Sequence, residues 1–251
     1  MPIRAITFDF WSTLFSYTDE GGARQLVRIK ALAHATRRSY RAAADAIEAA
    51  QAAQVLHHLD ELRTMDALDA VRAALEYLSV EVSEECERDL ARVFARAILR
   101  YPVTPIEGGL DAVAAARRRC RVGLISDTGL SPGRYLRRIL REHGFLDYLQ
   151  AAVFSDEAGA AKPSPRVFEQ AARKLQVRPS EMLHIGDLES SDIEGAHGVG
   201  AQAALFAAEN AMYAASTTAE YTFHSWDAFI AALPEIVDGE SPEGGGSARD
   251  E

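Results

Sequence analysis

Asp9, Ser126, Lys162 and the pair Asp187 and Asp192 are the residues of this sequence whose types and surroundings could do chemistry. Three apolar runs deliver them. Residues 3–8 lead into Asp9 and on to Trp11-Ser12-Thr13, residues 122–125 into Ser126-Asp127, and residues 182–185 into Gly186-Asp187, with Asp192 beyond. A carboxylate such as Asp9 can attack phosphorus or an activated carbon and form an ester, which splits one hard displacement into two easier ones. Asp187 and Asp192, with Asp9, have the spacing to set oxygen ligands around one hard cation such as Mg2+. Lys162, on a loop stiffened by Pro163, can neutralise Asp9 and a transferring anionic group. The Ser126 hydroxyl, the Asp127 amide and the Trp11-Ser12-Thr13 stretch, with the Thr13 hydroxyl and backbone, can bind a phosphoryl group. Plainer readings stand beside these: Asp9 can cap the turn after its strand, and Asp192 can cap the helix that follows it.

The elements that must hold these residues follow from where the periodicity changes. Residues 23–59 carry almost no helix breakers and are rich in Ala, Arg, Leu and Gln, which predicts a long helix or a helical hairpin. Further helices are predicted over 63–78 and, from the start signal Ser83-Glu84-Glu85, to Arg100. Beyond Pro105 strands and helices alternate: helix 109–118, strand 121–126, helix 132–143, strand 152–155, helix 165–175 and strand 182–185. Helix 191–199, strand 201–206, a weak strand at 221–223 and helix 226–236 complete the series. Such alternation predicts right-handed βαβ units and a parallel sheet, whose chemistry lies at the carboxyl ends of the strands. The stretch 239–251 is rich in Gly, Ser and acid and is expected to be a disordered tail.

Composition narrows the class. At 251 residues, 48% of them hydrophobic and 25% charged, the chain can bury a full core with room for a smaller second unit. A net charge of −10 argues against nucleic acid as a general partner. The clusters Arg117-Arg118-Arg119 and Arg137-Arg138 read as solvated helix faces. No apolar run reaches membrane-spanning length and no signal-peptide pattern is visible, so a soluble, cytoplasmic protein without membrane partners is expected. Cys86 and Cys120 have no Cys or His neighbour at metal spacing and read as thiols.

In their order, strand-Asp-x-x-x-Thr, strand-Ser, Lys-Pro and strand-Gly-Asp-x-x-x-x-Asp, the motifs around Asp9, Ser126, Lys162 and Asp187 to Asp192 resemble those of the haloacid dehalogenase superfamily of hydrolases. Most members of that superfamily are magnesium-dependent phosphatases. The resemblance covers residues 2–17 and 105–206. It implies an α/β fold with a Rossmann-like parallel-sheet core at 1–17 and 103–238, and an all-helical cap domain at 18–102 that opens and closes over the site. It further implies Asp9 as nucleophile, and Mg2+ held by Asp9, Asp187, Asp192 directly or through water, and the backbone carbonyl of Trp11.

One position departs from the pattern. The family's phosphatases carry Asp-x-Asp at the first motif, the second Asp protonating the leaving alkoxide, and this chain has Trp11 there. An indole N–H is far too weak an acid, and losing a positioned general acid typically costs about 10²- to 10⁴-fold. The substrate then has a good leaving group, or a cap residue supplies the proton, with His34, His57 and His58 available by type, or the protein binds without turnover. The dehalogenases of the family, which have an aromatic residue at this position, raise the alternative of a carbon-centred displacement without metal. Asp187 weighs against it, because an acid beside the nucleophile without a cation only repels it. The reading these residues favour is a magnesium-dependent phosphatase for a small anionic metabolite. A dehalogenase-type hydrolase and a catalytically degenerate phosphate- or partner-binding protein are the alternatives. Arg28, Arg41 and Arg63 are cap arginines able to grip a second anionic group, although most arginines on an Ala-rich helix are solvated, and Trp11 and Phe15 either flank the expected entrance or pack under the cap. The sequence leaves substrate identity and oligomeric state open.

Overall fold

The computed structural model describes residues 2–17 and 22–238; the tail expected at 239–251 lies outside the described residues. Six strands, β1 (Ala5–Phe8), β2 (Arg121–Ser126), β3 (Ala151–Phe154), β4 (Met182–Gly186), β5 (Gln202–Phe206) and β6 (Tyr221–Phe223), form one sheet in the order β3-β2-β1-β4-β5-β6. All five pairings are parallel. The fold class is the α/β architecture expected.

Strand period explains why the runs are apolar throughout. Ile6, Phe8, Val122, Leu124, Leu183 and Ile185 point to one face, where they pack with α5 (Gly109–Arg119), α6 (Gly133–Glu142) and α10 (Trp226–Asp238). Ala5, Ile125, Met182, Ala203 and Leu205 point to the other, against α8 (Pro165–Leu175) and α9 (Glu194–Gly198). A parallel sheet covered on both faces leaves no polar side to its central strands. The helix expected over 191–199 is two pieces, a π-helical turn Glu189–Ile193 followed by α9.

Between β1 and β2 the chain builds α1 (Ala23–Thr36), α2 (Tyr40–Glu61), α3 (Ala67–Tyr77) and α4 (Glu84–Arg100) before α5. The 23–59 stretch is thus a helical hairpin, broken where Arg37 turns left-handed (φ 55°) and Ser39 caps α2 by accepting from the Ala42 amide. Asp66 and Asp69 form a reciprocal capping box on α3, and Ser83 caps α4 as its sequence signal predicts. These four helices bury an apolar cluster of their own, including Leu32, Ile47, Val71, Leu75, Leu90 and Phe94. Among the described residues no helix is long and apolar enough to cross a membrane.

Candidate active site

The carboxyl ends of β1, β2 and β4 bring the expected residues together. Asp9 follows β1 directly and its amide donates to Ile185 O at 2.8 Å, which continues the β1–β4 pairing up to the carboxylate. Lys162 arrives from the loop after α7 (Ser155–Ala158), where its peptide to Pro163 is cis. Its buried Nζ lies 2.5 Å from Asp9 Oδ1 and 2.6 Å from Asp192 Oδ1. Its backbone N–H donates to Asp127 Oδ1 at 3.1 Å, so one residue ties three strand ends.

Asp192 is held from several directions. Oδ1 also meets His184 Nε2 at 3.1 Å, and Oδ2 accepts the Leu188 amide at 3.0 Å. His184 sits fully buried inside β4 with Nδ1 2.9 Å from Thr7 Oγ1 of β1. Burial lowers the His184 pKa, so the ring is neutral, donating from Nε2 to Asp192 and accepting at Nδ1 from Thr7. Gly186 makes the close fit feasible: a Cβ there would come within 2.2 Å of Asp192 Cγ. Nothing in the apolar run 182–185 marks His184 as part of a network; its register partner Thr7 reveals it.

Charge is unevenly shared in this cluster. Burial raises the Asp9 pKa well above the usual carboxylate range, with Asp192 and Asp187 adding to the push against Lys162. Burial and Asp192 likewise bring Asp187 to about 6, although Asn210 Nδ2 donates to its Oδ2 at 3.0 Å. Asp192 is buried too, yet Lys162 and the His184 hydrogen bond hold it below its ordinary value. Burial disfavours the Lys162 ammonium, but Asp192, Asp9 and Asp127 together raise its pKa, so it stays charged. Carboxylates in excess of ammonium form a hard-oxygen donor set of the kind a divalent cation satisfies. Among the described residues no three His, Cys, Asp or Glu side chains are gathered tightly enough to hold a metal as they stand. Asp9 and Asp187 retain donor capacity, whereas Asp192 already accepts from Lys162, His184 and Leu188.

On the other side of Asp9 lies a set of hydroxyls. Ser12 takes a left-handed backbone (φ 51°), and its amide donates to Phe15 O at 2.7 Å in a tight turn. That turn buries Thr13, whose Oγ1 has no hydrogen-bond partner among the described residues. Ser126 is buried and its hydroxyl donates to its neighbour's carbonyl, Asp127 O, at 3.3 Å. Trp11 donates its indole N–H to the same Asp127 O at 3.0 Å.

Beside these groups, bounded by Trp11 and Asp127 but not by Asp9, Thr13, Ser126 or Lys162 themselves, opens a cavity of about 770 Å³ between the helical insert and the core. Trp11 and residues 127–131 line it from the core; Arg28, Gln51, Gln54, His58 and Thr64 line it from the insert. Several expectations are corrected. His34 is exposed and His57 pairs with Glu61 at 3.7 Å, so of the three insert histidines named from the sequence, His58 lines the cavity. Arg41, in the first turn of α2, and Arg63, in the connection between α2 and α3, are exposed and do not line it; Arg28 does line it, with Arg24 beside it. Phe15 does not flank an entrance but is fully buried, stacked on Phe10 at 4.5 Å. Contacts that fasten the insert to the core include Leu62 O accepting the Ala161 amide at 2.6 Å, Thr64 Oγ1 lying 2.6 Å from Ser155 Oγ, and Arg96 Nε donating to Tyr135 OH at 3.3 Å.

The chain belongs to the haloacid dehalogenase-like hydrolases, whose family profile matches residues 3–200. It is 31% identical over 119 residues to phosphoserine phosphatase of Thermus thermophilus, covering 47% of this chain and 46% of that protein. It is 33% identical over 93 residues to pyrimidine 5'-nucleotidase YjjG of Escherichia coli, covering 37% of this chain and 40% of the other. The chain thus spans less than half the length of these curated relatives. Among solved structures it is similar to a haloacid dehalogenase-type phosphatase of Thermococcus onnurineus, with TM-score 0.67, 21% identity and coverage of 95% and 99% of the two chains. It is equally similar to a 2-haloacid dehalogenase of Pseudomonas syringae pv. Tomato DC3000, with TM-score 0.69, 21% identity and coverage of 94% and 99%. Both likenesses, at 21% identity, show the fold alone, which a phosphatase and a dehalogenase share.

Proposed function

We propose that this chain hydrolyses a small phosphorylated metabolite as a magnesium-dependent phosphatase in the cytoplasm. The observation that carries the reading is the Asp9–Lys162–Asp192 constellation with Asp187 beside it, set against the unpartnered buried hydroxyl of Thr13. A carbon-centred displacement has no use for the extra carboxylate, whereas a cation at Asp9 and Asp187 turns it into an asset. Phosphatase and nucleotidase relatives support the same choice.

Mg2+, when bound, would offset the charge on the transferring phosphoryl group; Asp9, Asp187 and the Trp11 backbone carbonyl are the residues to hold it, with Asp192 acting through water. Asp9 attacks phosphorus through a carboxylate oxygen. Thr13, Ser126 and the Asp127 amide donate to the phosphoryl oxygens, with the Trp11-Ser12-Thr13 turn forming the rest of the cradle. Lys162 holds Asp9 in place and lowers repulsion between two anions. Asp192 orients Lys162 and is itself oriented by His184. The insert covers the site and excludes water while the ester exists.

The test is phosphate release from alkyl, aryl and acyl phosphates with and without magnesium, using Asp9→Asn as the blank. Magnesium-dependent release lost in the variant is the expected result. No release from any ester, together with halide release from a 2-haloacid without metal, would replace this reading by the dehalogenase one.

A further inference from the structure

An unactivated alkyl phosphate leaves as an alkoxide and needs a proton, and the groups packed around Asp9 are poorly suited to give one. Lys162 is clamped between Asp9 and Asp192 with its proton held by both carboxylates. Trp11 spends its one N–H on Asp127 O. The cavity bounded by Trp11 and Asp127 is the neighbouring space into which a leaving group can extend, and a proton donor then belongs on its wall.

We propose that His58 is the general acid for the leaving group and the general base for the water that follows it; this assignment rests on the phosphatase reading. His58 lines the cavity together with Trp11, Asp127 and Thr64. Imidazole is the side-chain type that serves most often as both general acid and general base. Its place is fixed by backbone. His58 O accepts the Leu62 amide at 3.0 Å, and Leu62 O accepts the Ala161 amide at 2.6 Å, so two hydrogen bonds in series join His58 to the residue before Lys162. The Thr64–Ser155 contact anchors the same end of the insert, and Ser155 Oγ accepts the Thr128 amide at 3.0 Å, one residue from Asp127.

The charged and titratable groups around the imidazole are compatible with the role. Asp127 faces it from the loop after β2; burial raises the Asp127 carboxyl, and Lys162 and then His58 pull it back. Arg24 and Arg28 of α1 and Tyr17 line the same cavity. On its own helix, Glu61 is engaged by His57.

The chemistry balances in two steps. Asp9 attacks phosphorus, the bond from phosphorus to the leaving oxygen breaks with its electron pair on that oxygen, and the His58 imidazolium protonates it. Water then attacks the phosphorus of the aspartyl phosphate and gives a proton to the neutral imidazole. The bond from phosphorus to Asp9 breaks, releasing phosphate and restoring both side chains.

The experiment is a leaving-group series, from p-nitrophenyl through phenyl to alkyl phosphates, run with magnesium on wild type, His58→Gln and, as a control, His57→Gln. His58→Gln is expected to lower kcat/KM about 10²-fold for alkyl esters and no more than about 3-fold for p-nitrophenyl phosphate, whose leaving group needs no proton. A circular-dichroism spectrum and Tm matching wild type show that the variant folds, since loss of the general base slows the second step, and so kcat, for every ester. An equal loss across the series, or the same steepening in His57→Gln, would overturn the assignment while leaving the phosphatase reading intact. If wild type releases phosphate from no ester, both fall together.

Discussion

The indole N–H of Trp11 donates to the backbone carbonyl of Asp127 at 3.0 Å, joining the loop after β1 to the loop after β2 across the floor of the cavity. The ring also meets Phe10 and Tyr17 edge-on, with centroids 4.9 and 5.6 Å away. Trp11 is therefore a brace between two halves of the site as well as a wall. Trp11→Phe keeps the wall and removes the donor, and it should cost about 1 kcal/mol, the net worth of one hydrogen bond. Thermal unfolding reads that loss, and an unchanged Tm would show that the brace contributes nothing.

Lys162 is the stronger constraint. With Nζ 2.5 Å from Asp9 and 2.6 Å from Asp192, removing the ammonium leaves two buried carboxylates uncompensated. Breaking a buried pair in this way costs about 3–5 kcal/mol. Lys162→Met should lower stability by that order at neutral pH and abolish turnover, with denaturant unfolding as the check.

His184 acts at one remove. It never faces the cavity, but it holds Asp192 from below while Thr7 fixes its tautomer. Replacing such a supporting residue typically costs about 10- to 100-fold in metal affinity or activity. His184→Leu should weaken magnesium activation by that factor, measured from the magnesium dependence of phosphate release; an unchanged dependence would show that Asp192 needs no such support. Gly186→Ala strikes the same carboxylate by sterics, since its Cβ would stand 2.2 Å from Asp192 Cγ.

Much of this site is legible in the amino-acid sequence, for a physical reason. In a parallel sheet buried on both faces a strand is an apolar run, and its carboxyl end is where polar residues resume, which is how Asp9, Ser126 and Asp187 stand out. Lys162 stands out through its proline. What stays hidden depends on packing between elements distant in sequence. Thr7 and His184 meet because β1 and β4 are neighbours in register. Gln51, Gln54 and Thr64 reach the cavity because the hairpin of α1 and α2 folds over the sheet edge, and an Ala-rich helix carries little pattern to say which polar residues face inward. Phe15 misleads because the sequence does not distinguish a rim from a tight turn packed into the core.

Away from the site, Glu181 links the starts of β1 and β4. Its backbone carbonyl accepts the Arg4 amide at 2.8 Å, and its carboxylate accepts the Arg178 amide at 2.9 Å and guanidinium at 3.1 Å. The Arg178 side-chain and backbone hydrogen bonds hold its pKa at about 2, against an ordinary value of 4.5. A carboxyl lowered by folding contributes stability that is fully present above its unfolded pKa and lost as pH falls through the folded one. Glu181→Gln should therefore be less stable than wild type at neutral pH, the gap narrowing as pH falls from about 4.5 toward about 2. A gap that does not change with pH would show that the charge of Glu181 is not what stabilises this corner.

Covalent phosphorylation of Asp9 during turnover is tested most directly by an acid quench. The protein is mixed with magnesium and phosphorus-labelled p-nitrophenyl phosphate, stopped within one turnover in acid, where an acyl phosphate survives, and digested. The expected result is label on the peptide containing Asp9, released by mild base and absent from Asp9→Asn. Turnover of the ester with no label on that peptide, or with label on another residue, would contradict it.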